Sequence, residues 1–252
     1  MNLELEGKSA LVTGSSRGIG RAIAEALSQE GGRVALNGRN GECLAAASAS
    51  LPGSVAVAGD VTKPEEAKRI VSDALAELGR LDILVCNVGG GRSVPPGSET
   101  YEEWQRVFAL NLWSATNMVA AARNALAETQ GCIVLVSSIC GLEVVPGAPV
   151  TYAAAKAALH AYMRGISRPL AEDGIRINMV SPGNVMFPGS GWEAKLKADS
   201  DAVQAMLDRD VPLRRLGTPE EIAAAVAFLA SARASFITGA DLVADAGQTR
   251  RF

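Results

Sequence analysis

Seven short apolar runs, at residues 9–12, 33–37, 55–58, 83–86, 132–137, 176–180 and 240–243, punctuate this chain from end to end. Between them lie longer stretches of helical periodicity, near 18–30, 41–50, 64–78, 101–127, 151–172 and 219–231. The short runs are apolar throughout rather than alternating with polar residues, which is how strands buried on both faces read. Strand and helix taking turns requires parallel strands joined by right-handed crossovers. The pattern therefore predicts one doubly wound α/β domain over residues 1–252, with about seven parallel strands and helices on both faces. A chain of 252 residues in this class routinely stays a single domain.

Local signals agree. Thr62-Lys63-Pro64-Glu65-Glu66 and Thr218-Pro219-Glu220-Glu221 each offer a capping threonine, a proline and acids at a helix start. Gly79 and Gly174 stand where helices should stop. Only residues 183–212 break the rhythm, with Gly and Pro early and a polar helical pattern around 193–210. An excursion after the sixth strand, beside the carboxyl edge of the sheet, is expected to cover a ligand as a lid.

Composition removes several classes of function. A net charge of −3 with no run of either sign offers no basic face for nucleic acid. No apolar stretch is long enough to span a membrane. Residues 1–8 lack the basic and apolar regions of a signal peptide, and the four cysteines (Cys43, Cys86, Cys132, Cys140) show no CxxC spacing. They are expected to be reduced and mostly buried, in a cytoplasmic protein. One histidine and scattered thiols predict no metal site.

The first strand runs directly into Thr13-Gly14-Ser15-Ser16-Arg17-Gly18-Ile19-Gly20, followed by a helix. Glycines there permit a tight turn and let backbone amides approach a pyrophosphate. The helix N-terminus adds unpaired N–H groups and positive dipole charge. Between the first strand and first helix of a βαβ unit, this GxxxGxG spacing points to a dinucleotide. The second strand ends Leu36-Asn37-Gly38-Arg39-Asn40, without the acid that would bind a ribose 2′-hydroxyl. Arg39 and Arg17 would instead suit a 2′-phosphate, so NADP(H) is the expected cofactor.

Tyr152 and Lys156 stand four apart in an alanine-rich helix and so share one face. An ammonium about 4 Å from a phenol contributes on the order of 4 kcal/mol at an effective dielectric near 20. That could lower a tyrosine pKa by up to roughly three units, enough for proton exchange with a substrate oxygen near neutral pH. Ser137 and Ser138 close the fifth strand at the carboxyl edge, where such folds bind ligands.

Taken in order, Thr13 to Gly20, Asp60-Val61, Asn87-Val88-Gly89, Asn111, Ser137-Ser138, Tyr152-x-x-x-Lys156 and Pro182-Gly183 resemble the short-chain dehydrogenase/reductase family, in its compact Rossmann-fold branch. The resemblance covers nearly the whole chain. It implies hydride transfer between nicotinamide and a carbonyl/alcohol pair of a small molecule. Ser138 would orient the substrate oxygen, Tyr152 would act as acid/base, and Lys156 would hold the nicotinamide ribose and tune Tyr152. Asn111 would support a water-linked proton path to Lys156. Gly14, Ser16, Arg17, Gly18, Ile19 and Gly20 would cradle the phosphates, and Arg39 the 2′-phosphate. Asp60 and Val61 would meet the adenine, while Asn87, Val88, Gly89, Pro182, Gly183 and Val185 would line the cofactor cleft. It also implies a homotetramer, in keeping with surplus apolar faces on 101–127 and 151–172.

The chain departs from the family pattern in places. Phe187 stands where a threonine often bonds the nicotinamide carboxamide, Gly90-Gly91 extend the glycine segment after the fourth strand, and Asp245-Ala246-Gly247 replaces Asp-Gly-Gly. Two rivals remain. A 3-oxoacyl-(acyl-carrier-protein) reductase would want basic residues where this chain has Glu128, Glu172 and Asp173. A non-catalytic NADP-binding scaffold would not need all four catalytic positions. His160 invites a Ser–His–Asp hydrolase, but no G-x-S-x-G elbow exists, so packing is the expected role.

Overall fold

The computed structural model describes residues 2–250. Seven strands form one parallel sheet: β1 (Ser9–Val12), β2 (Arg33–Gly38), β3 (Val55–Ala58), β4 (Ile83–Cys86), β5 (Cys132–Val136), β6 (Arg176–Pro182) and β7 (Asp241–Ala244). Their spatial order is 3-2-1-4-5-6-7. The helices are α1 (Gly18–Gln29), α2 (Gly41–Ala49), α3 (Pro64–Leu78), α4 (Tyr101–Phe108), α5 (Ser114–Thr129), α6 (Val150–Glu172), α7 (Gly191–Ala198), α8 (Ser200–Asp210) and α9 (Pro219–Ala230).

Strand side chains alternate between two apolar layers, as a pleated backbone dictates. Ala10, Val12, Val34, Leu36, Ile83 and Val85 face α1, α2 and α9. Leu11, Ala35, Leu84, Cys86, Ile133 and Leu135 face α3, α5 and α6 on the opposite side. Both faces are covered, and this is why the central strands read as unbroken apolar runs. The two edge strands depart from that expectation. β3 exposes Ala56 and Ala58, and on β7 Leu242 and Val243 are 39% and 38% exposed.

Two local expectations are corrected. Thr62 does not cap α3: its backbone N–H and its hydroxyl both donate to Asp60 Oδ1, and Lys63 takes the N-cap position without a side-chain bond. Residues 101–127 are not one helix either. A π-helical turn, Ala109–Trp113, separates α4 from α5. The other end signals hold: Gly79 ends α3 at φ +79°, Gly174 follows α6 at φ +76°, and Glu221 accepts from the Thr218 N–H at 2.9 Å.

Strand order reverses between β1 and β4, which opens a crevice outside their carboxyl ends. The turn after β1, the loop after β4 and the end of β5 all discharge there. Thr13 and Asn87 knit the first two together. The Thr13 hydroxyl donates to Val85 O at 3.2 Å and accepts from the N–H groups of Asn87 and Val88, while the Asn87 amide donates to Thr13 O at 3.0 Å.

Candidate active site

At the crevice, the first turn of α1 contains no acid, and no side chain caps it. Its N–H groups are thus left for an outside anion. Two glycines are there by necessity. A β-carbon on Gly20 would collide with Gly14 O and the Asn87 amide. One on Gly18, held at φ +58°, would lie 2.6 Å from Phe187 Cε2. The Phe187 ring therefore seats on the glycine turn itself. It packs, with Ile19, against the apolar layer under α1 and α9. Nothing in the spacing pattern predicted that contact.

The end of the crevice beside β2 and β3 is shaped by short polar side chains. Ser15 Oγ donates to Val12 O at 2.7 Å and accepts from the Asn37 N–H at 3.0 Å. The Asn37 amide then donates to Val57 O and Gly59 O at 3.0 and 3.4 Å, tying β1, β2 and β3 at their ends. Ser16 lies beside Gly38, its Oγ 3.6 Å from where a Gly38 β-carbon would be. Arg17 and Arg39 are exposed. Burial works against ionisation of Asp60, yet hydrogen bonds from Thr62 and the charges of Arg39 and Lys63 hold its carboxyl below the usual range. Arg39 thus stands near Asp60, while Val61 beside it is buried. Arg17 leans the other way, its Nη1 3.0 Å from where a β-carbon on Gly189 would be. The two guanidinium groups are not seen converging on one point.

On the side of the crevice beside β4 and β5, the π-helical turn rotates Asn111 inward, where it is 1% exposed. A π-turn inserted in a helix often marks a functional position. The Asn111 amide donates to Gly90 O and Val107 O at 3.2 and 3.0 Å and accepts from the Gly90 N–H at 2.9 Å. A β-carbon on Gly89 would sit 3.1 Å from Lys156 Nζ. Asn111, the Gly89-Gly90 segment and Lys156 are therefore one packed unit. Pro182 is buried at the end of β6, and the Gly183 N–H donates to Ala244 O at 3.0 Å. Val185, 7% exposed, packs its side chain into the layer with Ile222 and Val226 rather than into the crevice.

Ser138 neighbours Tyr152 in the cleft and draws its phenol toward ionisation. Ser138 Oγ accepts from the Cys140 N–H at 3.2 Å. Lys156 is buried and donates to Val136 O at 3.0 Å, its Nζ lying 5.9 Å from the centre of the Tyr152 ring. This corrects the expected electrostatics. Burial pushes the Tyr152 phenol up to about 12, against the pull of Ser138, and burial pushes the Lys156 ammonium down to about 8. In the protein alone desolvation outweighs any pairing, because the ammonium is turned to a β5 carbonyl instead of the phenol. Cys140, beside them and part-buried, has its thiol pushed up by burial and drawn back by Ser138, Lys156 and Lys195. Of the other thiols, Cys86 and Cys132 are buried and Cys43 is exposed.

His160 does meet a serine and an aspartate, in another place. Ser181 Oγ donates to Asp241 Oδ1 at 2.7 Å and lies 3.4 Å from His160 Nε2, while His160 Nδ1 is 3.4 Å from Asp241 Oδ2. Ser181 is fully buried and its proton already faces the carboxylate, so no substrate can reach it as a nucleophile. The cluster is a polar tie between α6, β6 and β7.

A family model described as enoyl-(acyl carrier protein) reductase matches residues 14–249. An L-rhamnose 1-dehydrogenase (NAD(P)(+)) from Sphingomonas sp. is 38% identical over 251 residues, 96% of each chain. A 3-oxoacyl-(acyl-carrier-protein) reductase from Chlamydia muridarum is 36% identical, covering 98% of this chain and 99% of its own. L-sorbose reductase from Gluconobacter frateurii, solved in complex with NADPH and L-sorbose, superposes with a TM-score of 0.93 at 30% identity over the full length of both chains. With that architecture and that Ser–Tyr–Lys cleft, the chain belongs to the short-chain dehydrogenase/reductase family and is an oxidoreductase of the alcohol–carbonyl type.

Proposed function

We propose that the protein transfers a hydride between NADP(H) and the carbonyl or secondary alcohol of a small molecule, with Tyr152 as the proton-transfer group. The neighbouring Ser138 and Tyr152, beside buried Lys156 and facing an uncapped helix N-terminus across one crevice, carry this reading. Ser138 would donate a hydrogen bond to the substrate oxygen and hold it against Tyr152 Oη. Tyr152 would give its proton to that oxygen in reduction and take it back in oxidation. Lys156 would hold the nicotinamide ribose, and Asn111 would fix the loop at Gly90 and hold a water feeding protons toward Lys156. Bound NADP(H) supplies or accepts the hydride, the step no side chain here can perform.

Gly14, Ser16, Gly18, Ile19 and Gly20 would receive the phosphates, with Asp60 and Val61 at the adenine. Asn87, Val88, Gly89, Pro182, Gly183 and the backbone of Val185 would wall the nicotinamide. Arg39, beside Asp60, would take the 2′-phosphate through a charge-assisted contact, and exposed Arg17 would swing from Gly189 to join it. Residues 183–212 would serve as a lid, rooted by Phe187 on the glycine turn. Exposed Trp113, Phe236, Leu242 and Val243 support assembly as a homotetramer, and free thiols support a cytoplasmic setting.

A free small molecule fits better than an acyl carrier protein. Glu128 and Glu172 are exposed acids that would repel an acidic partner, while Asp173 is already paired with Arg123 at 2.6 Å.

Fluorescence titration followed by a carbonyl panel tests the reading. NADPH is expected to bind at least about tenfold tighter than NADH, and Arg17→Ala/Arg39→Ala to weaken NADPH by roughly 10- to 100-fold with little effect on NADH. Equal binding of the two nucleotides would refute the NADP preference. Tight binding with no turnover, indifferent to Tyr152→Phe, would instead favour a non-catalytic scaffold.

A further inference from the structure

Several acids around the catalytic cleft are engaged. Glu103 pairs with Arg106 at 2.6 Å and accepts from Ser93, Glu193 pairs with Lys197 at 2.9 Å, and Glu143 accepts the backbone N–H of Arg250 at 3.2 Å. Two cations on the same segments, Arg92 and Lys195, have no carboxylate within ion-pair distance among the described residues.

Both cations are carried on segments that border the cleft. Arg92 follows Gly91, where a β-carbon would be 3.7 Å from the Tyr152 ring. It precedes Ser93, whose hydroxyl is 2.6 Å from that of Thr151, the neighbour of Tyr152. The loop bearing Arg92 is thereby pinned on both sides to the first turn of α6. Lys195 comes from α7, with its ammonium held 4.3 Å over the Trp192 ring. Trp192 in turn packs against the apolar cluster of Val203, Leu207 and Val211, so the cation is mounted on a fixed platform. Its charge reaches Cys140, two residues from Ser138. The root of the same segment is anchored by the Phe187 ring on Gly18, and Ser190 caps α7 by accepting from the Glu193 N–H at 3.1 Å.

We propose, building on the reductase reading above, that the carbonyl substrate carries an acidic group, a carboxylate or a phosphate, received at the cleft rim by Lys195 and Arg92. A carbonyl held by Ser138 and Tyr152 then has its charged end fixed by two cations on separate segments. One of these segments is α7, so an acidic substrate draws the proposed lid onto the cleft. Neutral sugars or ketones would lack that second anchor. Free acid substrates are favoured over long neutral chains for the same reason.

Two matched pairs test this with intact protein and NADPH: acetoacetate against methyl acetoacetate, and dihydroxyacetone phosphate against dihydroxyacetone. The acidic member of at least one pair is expected to show kcat/KM about tenfold or more above its neutral partner. Which pair responds tells carboxylate from phosphate. Lys195→Met is expected to erase most of that ratio through KM, and added salt to shrink it. Lys197→Met, which removes the cation already paired with Glu193, is expected to preserve the ratio. Any result in which neither acidic member is the better substrate overturns the proposal, as does a ratio indifferent to Lys195→Met. Reduction of neutral ketones without acidic preference would do so while leaving the reductase reading intact. Failure to bind NADPH would remove that reading first.

Discussion

Tyr152→Phe is expected to cut kcat by about 10²- to 10⁴-fold while changing NADPH affinity by no more than roughly twofold. The substitution deletes one oxygen from a ring that otherwise keeps its packing against Gly91. What it removes is the hydroxyl that stands beside Ser138 in the cleft. In the proposed mode the dinucleotide would draw on the glycine turn, the α1 N-terminus and the two arginines, none of which touches the phenol. Single-turnover kinetics with saturating NADPH separates the two quantities. A variant that loses cofactor affinity and rate together would show Tyr152 to be a structural support of the cleft and not its acid.

Lys156→Met should have a second large effect, of unusual sign: the variant is expected to melt at a higher temperature than the parent while losing activity. Lys156 is 3% exposed and its ammonium has a single bond, to Val136 O. Burial lowers its pKa from 10.5 to about 8, so the fold disfavours the charged form. At about 1.4 kcal/mol per unit, the charge costs the folded state on the order of 3 kcal/mol at neutral pH. Methionine fills a similar volume without that cost. Below pH 8 both folded and unfolded chains carry the proton and the full penalty applies. Between the folded value of about 8 and the unfolded value of 10.5, the unfolded chain alone holds it, so parent stability rises with pH. The advantage of the variant should thus be widest below pH 8 and fade towards pH 10.5. Calorimetry across that range checks it, and a variant melting below the parent at neutral pH would refute the claim. Stability given up at a buried lysine is what a functional position looks like.

The central strands were legible because they are buried on both faces and their apolar runs end where burial ends. β1, β3 and β4 match their expected bounds residue for residue. The edges were less so: β7 begins one residue later than the run suggested, and its side chains are half exposed. The helix over 101–127 was misread because a π-turn preserves apolar content while shifting phase, so Asn111 turns inward without any break in composition. Candidate site residues with spacing signals, the glycines and the Tyr152–Lys156 pair, could be located from sequence. Thr13, Ser15 and Asn37 could not, because they act through bonds to distant backbone groups and carry no periodicity. The contact of Phe187 with Gly18 was equally silent, being a pairing between loops far apart in the chain. Most instructive is Lys156: helical spacing correctly put it on the face of Tyr152, but only the fold reveals that its ammonium turns to Val136.

Tyr152 can trade protons with substrate only if its proton becomes labile when the nucleotide arrives. Ultraviolet difference titration of the parent against Tyr152→Phe, with and without NADP+, reads that phenol alone. Without nucleotide the midpoint should lie near 12, where burial puts it. With NADP+ bound, whose nicotinamide is a cation, it should fall by at least about two units. A midpoint that stays near 12 in the complex would contradict the assignment of Tyr152 as the group that trades protons with substrate.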